Sequence, residues 1–162
     1  MMPNFIIVGA AKAGTTSLFH YLSEHPQIFM SSPKEVNFFS YKEIMSQDLY
    51  YDSFLTKNLD NYKQLFNKSV NFKAIGEGSV SYLFYEKVPK RIYDKIPNAK
   101  IIILLRNPIS RSFSHYLMDY KLGHINEKFE NIIFKKTKNK KLDLYYQQYV
   151  KIGFYYDQVK RY

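Results

Sequence analysis

The chain has 162 residues, 46% hydrophobic and 18% aromatic, which is one domain's worth of packed globular protein. Its 24 Lys and Arg against 14 Asp and Glu leave a net charge of +10, a balance that suits an anionic ligand or acceptor. With no cysteine there is no disulfide and no thiolate metal site, in keeping with a reducing compartment.

The basic balance comes without a helix-turn-helix, zinc-finger or RNA-recognition signature, so nucleic acid is not the expected partner. No segment approaches the roughly 20 apolar residues of a membrane span. The N-terminus enters a short strand without a basic n-region or a long apolar h-region, and the chain reads as soluble and cytoplasmic.

The first element is an apolar strand at Phe5–Val8, followed by Gly9-Ala10-Ala11-Lys12-Ala13-Gly14-Thr15-Thr16-Ser17 and a helix from about Thr15 to Glu24. A strand, a glycine-bounded loop and a helix start form a unit that cradles phosphate, because loop amides and the helix N-terminus converge on one anion. Gly9-x4-Gly14 has the spacing of a nucleotide-binding P-loop, yet Thr15 stands where that loop requires lysine and Lys12 lies inside it. An ordinary ATPase or GTPase is therefore a poor fit. A plain strand-to-helix turn is the alternative, and it has no need of Lys12, Thr15 and Thr16 side by side.

On the first helix Leu18, Tyr21 and Leu22 recur at three-and-four spacing as the buried face, and His25-Pro26 ends it. Ile28–Met30 reads as a short extended piece, and a loop follows at residues 31–35. Helical spacing covers 59–66 and 88–96, with Pro89 in the first turn, and 72–76 reads as a strand. Lys100–Arg106 is the clearest strand, a continuous Ile and Leu run expected to be buried on both faces in the middle of a parallel sheet. Asn107-Pro108 breaks it and a helix runs from about Ile109 to Lys121. The Lys135–Lys141 run reads as a solvated surface segment. A last helix starts at Phe154, with Tyr155, Val159 and Tyr162 on one face, so the sequence reads as cut off within an element. Alternating strands and helices argue for an α/β fold with a parallel sheet.

Arg106 closes the apolar strand at the sheet edge where open α/β folds bind ligands, and its forked guanidinium suits phosphate. Ser114, two turns into the next helix, can aim at the same region; a salt-bridged Arg106 and a surface Ser114 are the competing reading. The four histidines, His20, His25, His115 and His124, show no ligand-like spacing, so no metal is expected. Phe38, Phe39, Tyr82 and Tyr85 read as core rather than as cleft lining.

Lys12-Ala13-Gly14-Thr15-Thr16 resembles the 5′-phosphosulfate loop of sulfotransferases that use 3′-phosphoadenosine 5′-phosphosulfate (PAPS). Leu104 through Tyr116, with Arg106-Asn107-Pro108 and Arg111-x-x-Ser114, resembles their 3′-phosphate motif. Lys34-Glu35-Val36-Asn37-Phe38-Phe39 and Gly153-Phe154-Tyr155 resemble the branch that holds the heparan sulfate sulfotransferases and bacterial relatives. The resemblance covers the whole chain. It implies a P-loop NTPase-like three-layer fold, a central parallel sheet flanked by helices, with residues 1–162 as a single sulfotransferase domain lacking its C-terminal strand and nucleotide-closing loop.

By the same resemblance Lys12 serves the phosphosulfate and its bridging oxygen, and Ala13, Gly14, Thr15, Thr16 and Ser17 hold the same phosphate. Arg106 and Ser114 hold the 3′-phosphate, and Glu35 is the general base; a surface carboxylate paired with Lys34 is the bland alternative for Glu35. The implied reaction moves a sulfuryl group from PAPS, without metal, to a hydroxyl or amine, with a carbohydrate as the favoured acceptor. Where glycan-modifying relatives often carry Glu-Lys, this chain has Glu77-Gly78, so an acceptor-side cation is missing or comes from elsewhere. A truncated nucleotide-binding remnant and an atypical P-loop kinase are the rival readings, and the oligomeric state is not legible.

Overall fold

A computed structural model describes residues 1–47, 49 and 56–162. Four strands, β1 (Phe5–Gly9), β2 (Ile28–Met30), β3 (Ala74–Gly78) and β4 (Lys100–Ile103), form one parallel sheet in the order β2-β3-β1-β4. Helices α1 (Thr15–Ser23), α2 (Tyr41–Met45), α3 (Leu59–Gln64) and α4 (Val88–Lys95) connect them. After β4 come α5 (Pro108–Lys121), α6 (Phe129–Ile133), α7 (Leu142–Tyr149), a 3-10 turn at Lys151–Gly153 and α8 (Tyr155–Lys160).

The layering follows from the alternation of side chains along β1. Ile6 and Val8 enter one apolar cluster with Tyr62 of α3, Phe66, and Val88 and Ile92 of α4. Phe5 and Ile7 enter the other, with Phe19 of α1 and Met30 of β2. Both faces of the sheet are thus covered, and all five β1 residues are buried. Each fully buried aliphatic side chain here contributes about 2 kcal/mol. No helix among the described residues is long and apolar enough to cross a membrane.

Four expectations need correction. The strand of residues 100–106 is regular only to Ile103 and lies at the sheet's edge among the described strands, with Ile101–Ile103 half-buried; β1 takes the inner place. Backbone pairing nevertheless runs on, since the Leu104 amide donates to the Gly9 carbonyl at 2.8 Å and the Ala10 amide to the Leu104 carbonyl at 2.7 Å. The buried face of α1 is set by Thr15 and Phe19, whereas Tyr21 is 72% exposed. The strand expected at 72–76 begins and ends two residues later, which brings Glu77 and Gly78 into the sheet. On α8, Gln158 is buried and Val159 partly exposed, because the Gln158 amide donates to the carbonyls of Lys151, Ile152 and Phe154.

Helices α2, α6 and α7 were not expected. The lysine run does face water, with Lys135 lying 4.4 Å above the Tyr146 ring.

Candidate active site

The loop after β1 turns sharply into α1. Lys12 and Gly14 take left-handed conformations at φ 63° and 91°, and Gly14, as N-cap, brings no side chain to the first-turn amides of α1. Those amides have no partner within a helix by geometry, so they face the loop as donors. The Lys12 ammonium rests 3.2 Å from the Met118 sulfur of α5, a weak acceptor. On the neighbouring strand end, Asn107 caps α5 by accepting from the amides of Ile109 (3.0 Å) and Ser110 (3.1 Å), and Pro108 fills the first turn. This cap fixes where Arg106 leaves the sheet. Its Nη1 donates to the Lys12 carbonyl at 3.2 Å.

Two cavities meet at Lys12 and Met118. One, of about 610 Å³, is lined by Lys12, Arg106, Ser110, Ser114 and Lys121 among others. The second, of about 600 Å³, takes Lys12, Thr15, Thr16, Lys34 and Glu35 into its wall. The structure therefore gathers Lys12, Thr15, Thr16, Glu35, Arg106 and Ser114 around two cavities that share Lys12 and Met118. Gly14 and Ser17 lie exposed beside it and Ala13 packs partly into the core; none of the three is in either wall.

Glu35 is held by β3 and its continuation. Its amide donates to the Gly78 carbonyl at 2.8 Å, its Oε2 accepts from the Val80 amide at 2.9 Å, and its Oε1 pairs with the Lys34 ammonium. Glu35 and Asn37 both adopt positive φ, 62° and 55°. Such a conformation persists only where the surroundings impose it, and here the Ser79 hydroxyl accepts from the Asn37 amide at 3.0 Å.

Beneath this loop sits Glu77, fully buried. It accepts from the hydroxyls of Tyr62 (2.6 Å) and Ser79 (2.7 Å). Burial pushes its carboxyl upward, and the hydroxyl hydrogen bonds, those of Tyr62, Ser79 and Tyr82, pull the other way. The Ser79 hydroxyl thus links Glu77 to the backbone of the Glu35 loop. Glu77→Gln puts an amide donor against hydroxyl donors and is expected to cost about 1–2 kcal/mol, read as a lowered melting temperature. An unchanged melting temperature would refute the link.

Gly78 has a steric reason. A Cβ there would meet Phe19 Cδ2 at 2.9 Å, so a lysine in that place would force the ring to move, and the cation beside Glu35 is Lys34 from the loop.

A third cluster was not singled out in the sequence. Arg111, His115 and Asp119 share one face of α5 and are all buried. Arg111 Nη2 donates to the carbonyls of Gln148 (3.0 Å) and Tyr149, and Arg111 Nη1 lies 3.3 Å from His115 Nδ1. The Tyr149 hydroxyl donates to Asp119 at 2.7 Å. His115 and Asp119 both reach the wall of the cavity that holds Glu35. Burial, with lesser help from Arg111 and Lys12, holds the imidazole down at about 4 and hence neutral near pH 7, against the opposing pull of Asp119. Tyr82 and Phe39 are core as expected, while Tyr85 is buried yet also lines that cavity.

A parallel sheet with a glycine-bounded loop and a forked cation at adjacent strand ends makes this an α/β protein of the P-loop-like kind. The sulfotransferase domain family matches residues 2–162, and the chain belongs to that family. A crystal structure of a sulfotransferase from Alicyclobacillus acidocaldarius superposes with a TM-score of 0.83 at 38% identity, covering 100% of this chain and 68% of that one.

Among curated proteins, the membrane-associated sulfotransferase kil1 of Dictyostelium discoideum is 37% identical over 142 residues, 84% of this chain. Human bifunctional heparan sulfate N-deacetylase/N-sulfotransferase 3 is 35% identical over 121 residues, 71% of this chain. The chain spans 28% of the first and 13% of the second.

Proposed function

We propose that this protein transfers a sulfuryl group from PAPS to a hydroxyl or amine of an acceptor. The observation that carries the reading is the 3.2 Å contact from the Arg106 guanidinium to the Lys12 carbonyl, with both residues lining one cavity of about 610 Å³. Two phosphate-type sites so close together suit a single nucleotide phosphorylated at both its 3′ and 5′ positions. Arg106 and Ser114 take the 3′-phosphate; Lys12, Ala13, Gly14, Thr15, Thr16 and Ser17 take the 5′-phosphosulfate.

In the reaction the acceptor oxygen or nitrogen attacks sulfur in line. The bond from sulfur to the oxygen bridging the 5′-phosphate breaks, and its electron pair leaves on the phosphate. Lys12 and the first-turn amides of α1 stabilise that growing charge. Glu35, in the wall of the adjoining cavity, takes the acceptor's proton once the acceptor displaces Lys34 from it. The products are adenosine 3′,5′-bisphosphate and a sulfated acceptor. The heparan sulfate enzymes among the relatives support a carbohydrate acceptor.

Calorimetric titration tests the nucleotide half of this reading. Adenosine 3′,5′-bisphosphate is expected to bind more tightly than ATP, and Arg106→Ala to weaken it by about tenfold or more, as loss of a charged phosphate contact does. Equal affinity for the two nucleotides in the parent protein would point instead to a kinase-like site.

A further inference from the structure

The cavity beside Glu35 has walls unlike those of a polyanion site. Its aliphatic and aromatic surface comes from Ile44 of α2, from Phe84 and Tyr85, from Met118 of α5 and from Ile152. Among the described residues its charges balance: Lys12 and Lys34 stand against Glu35 and Asp119. Lys34 is already paired with Glu35, Asp119 accepts from the Tyr149 hydroxyl at 2.7 Å, and His115 is neutral near pH 7. The protein's surplus of positive charge lies elsewhere, and none of Lys135–Lys141 reaches this wall. A lysine at Gly78 would have to displace the Phe19 ring. A chain of sulfates and carboxylates needs surplus cations along its path. A cavity of about 600 Å³ with mostly apolar walls and a few polar groups suits a compact ligand with an apolar part.

We propose that the acceptor is an uncharged glycoside carrying an alkyl or aryl aglycone. The aglycone packs against Ile44, Phe84, Tyr85, Met118 and Ile152, while the sugar hydroxyls meet Glu35, Asn37, Ser81 and His124 in the same wall. Removing the aglycone from water drives binding, and the polar groups select which hydroxyl faces Lys12 and Glu35. The proposal rests on the sulfuryl-transfer reading and narrows its acceptor.

The test is calorimetric titration of the full chain with methyl, butyl and octyl β-glucoside and with a heparin hexasaccharide, each with and without adenosine 3′,5′-bisphosphate. Affinity should rise by about tenfold or more from methyl to octyl, since each buried methylene adds favourable transfer energy. Leu122→Glu, which puts a charge at an exposed position of the wall, should flatten the series without changing the affinity for adenosine 3′,5′-bisphosphate. Phe84→Ala should lower the octyl affinity in the same way. A flat series in the parent protein, or tighter binding of the hexasaccharide than of octyl glucoside, would overturn the proposal. Failure of the parent reading would look different: no binding of adenosine 3′,5′-bisphosphate, whatever the glycosides do.

Discussion

Lys12→Ala is expected to lower turnover by about a hundredfold or more, the usual consequence of removing a donor that acts on charge developing in the transition state. The ammonium is well placed to give this effect. Its contact in the structure is a thioether at 3.2 Å, which costs little to exchange for an anion. The left-handed turn at Lys12 and the open N-terminus of α1 fix the donors before substrate arrives, so little reorganisation is needed during the reaction. Single-turnover transfer of radiolabelled sulfate from PAPS to octyl glucoside measures it. The affinity for adenosine 3′,5′-bisphosphate should fall far less than the rate, because the bridging oxygen gains charge only as the sulfuryl group departs. A variant that keeps full turnover would remove Lys12 from the chemistry. One that loses rate and nucleotide affinity equally would make it an ordinary binding residue.

The loop around Lys12 was legible in the sequence because its signals are local: an apolar strand, two glycines at fixed spacing, then a helix. Arg106 and Ser114 were legible for the same reason, through a strand broken by Asn-Pro. What sequence could not give was placement between elements. A continuous Ile run says that both faces of β4 are apolar, but it does not say whether a strand lies on each side, and among the described strands β4 is at an edge. On α1 Leu18 and Leu22 are only partly buried against the core, and Phe19 rather than Tyr21 is the buried aromatic, because Phe19 fills the space left by Gly78.

The five-residue helices α2 and α6 are too short to show a period. In α7 the buried residues are Tyr145, Gln148 and Tyr149, so a polar side chain interrupts the apolar pattern. The His115–Asp119 spacing was visible, but its burial depends on carbonyls of α7 that Arg111 holds from more than 30 residues away in sequence. Glu77 stood out only as half of a departure from a family pattern. Its role as an anchor for the Glu35 loop needs Tyr62, from an element whose own sequence gives no hint of it.

Acidification should expose His115 as a stability switch. Its imidazole titrates at about 4 when folded, against 6.5 when unfolded, so between those values the unfolded chain binds more protons than the folded one. The contribution of His115 is therefore fully present above pH 6.5 and is lost as pH falls towards 4, amounting to about 3 kcal/mol in all. The geometry supplies the reason. Arg111 Nη1 can only donate, so His115 Nδ1, 3.3 Å away, must accept, and protonation there sets a proton and a charge against the guanidinium. Asp119 and the Gln148 carbonyl favour the charged ring but do not outweigh burial.

Other groups titrate nearby, and their signs differ. Glu43 is held below its ordinary value of 4.5, the Arg91 hydrogen bond and charge outweighing burial, so it adds to acid instability only at the lower end of the window. Glu77 is pushed above 4.5 by burial and acts oppositely, its contribution greatest in acid and lost as pH rises through its folded value. Both cancel in the difference between the parent protein and His115→Gln. Urea unfolding across the window should show that difference shrinking as pH falls, and a difference that does not change with pH would mean the ring is charged in the folded protein after all.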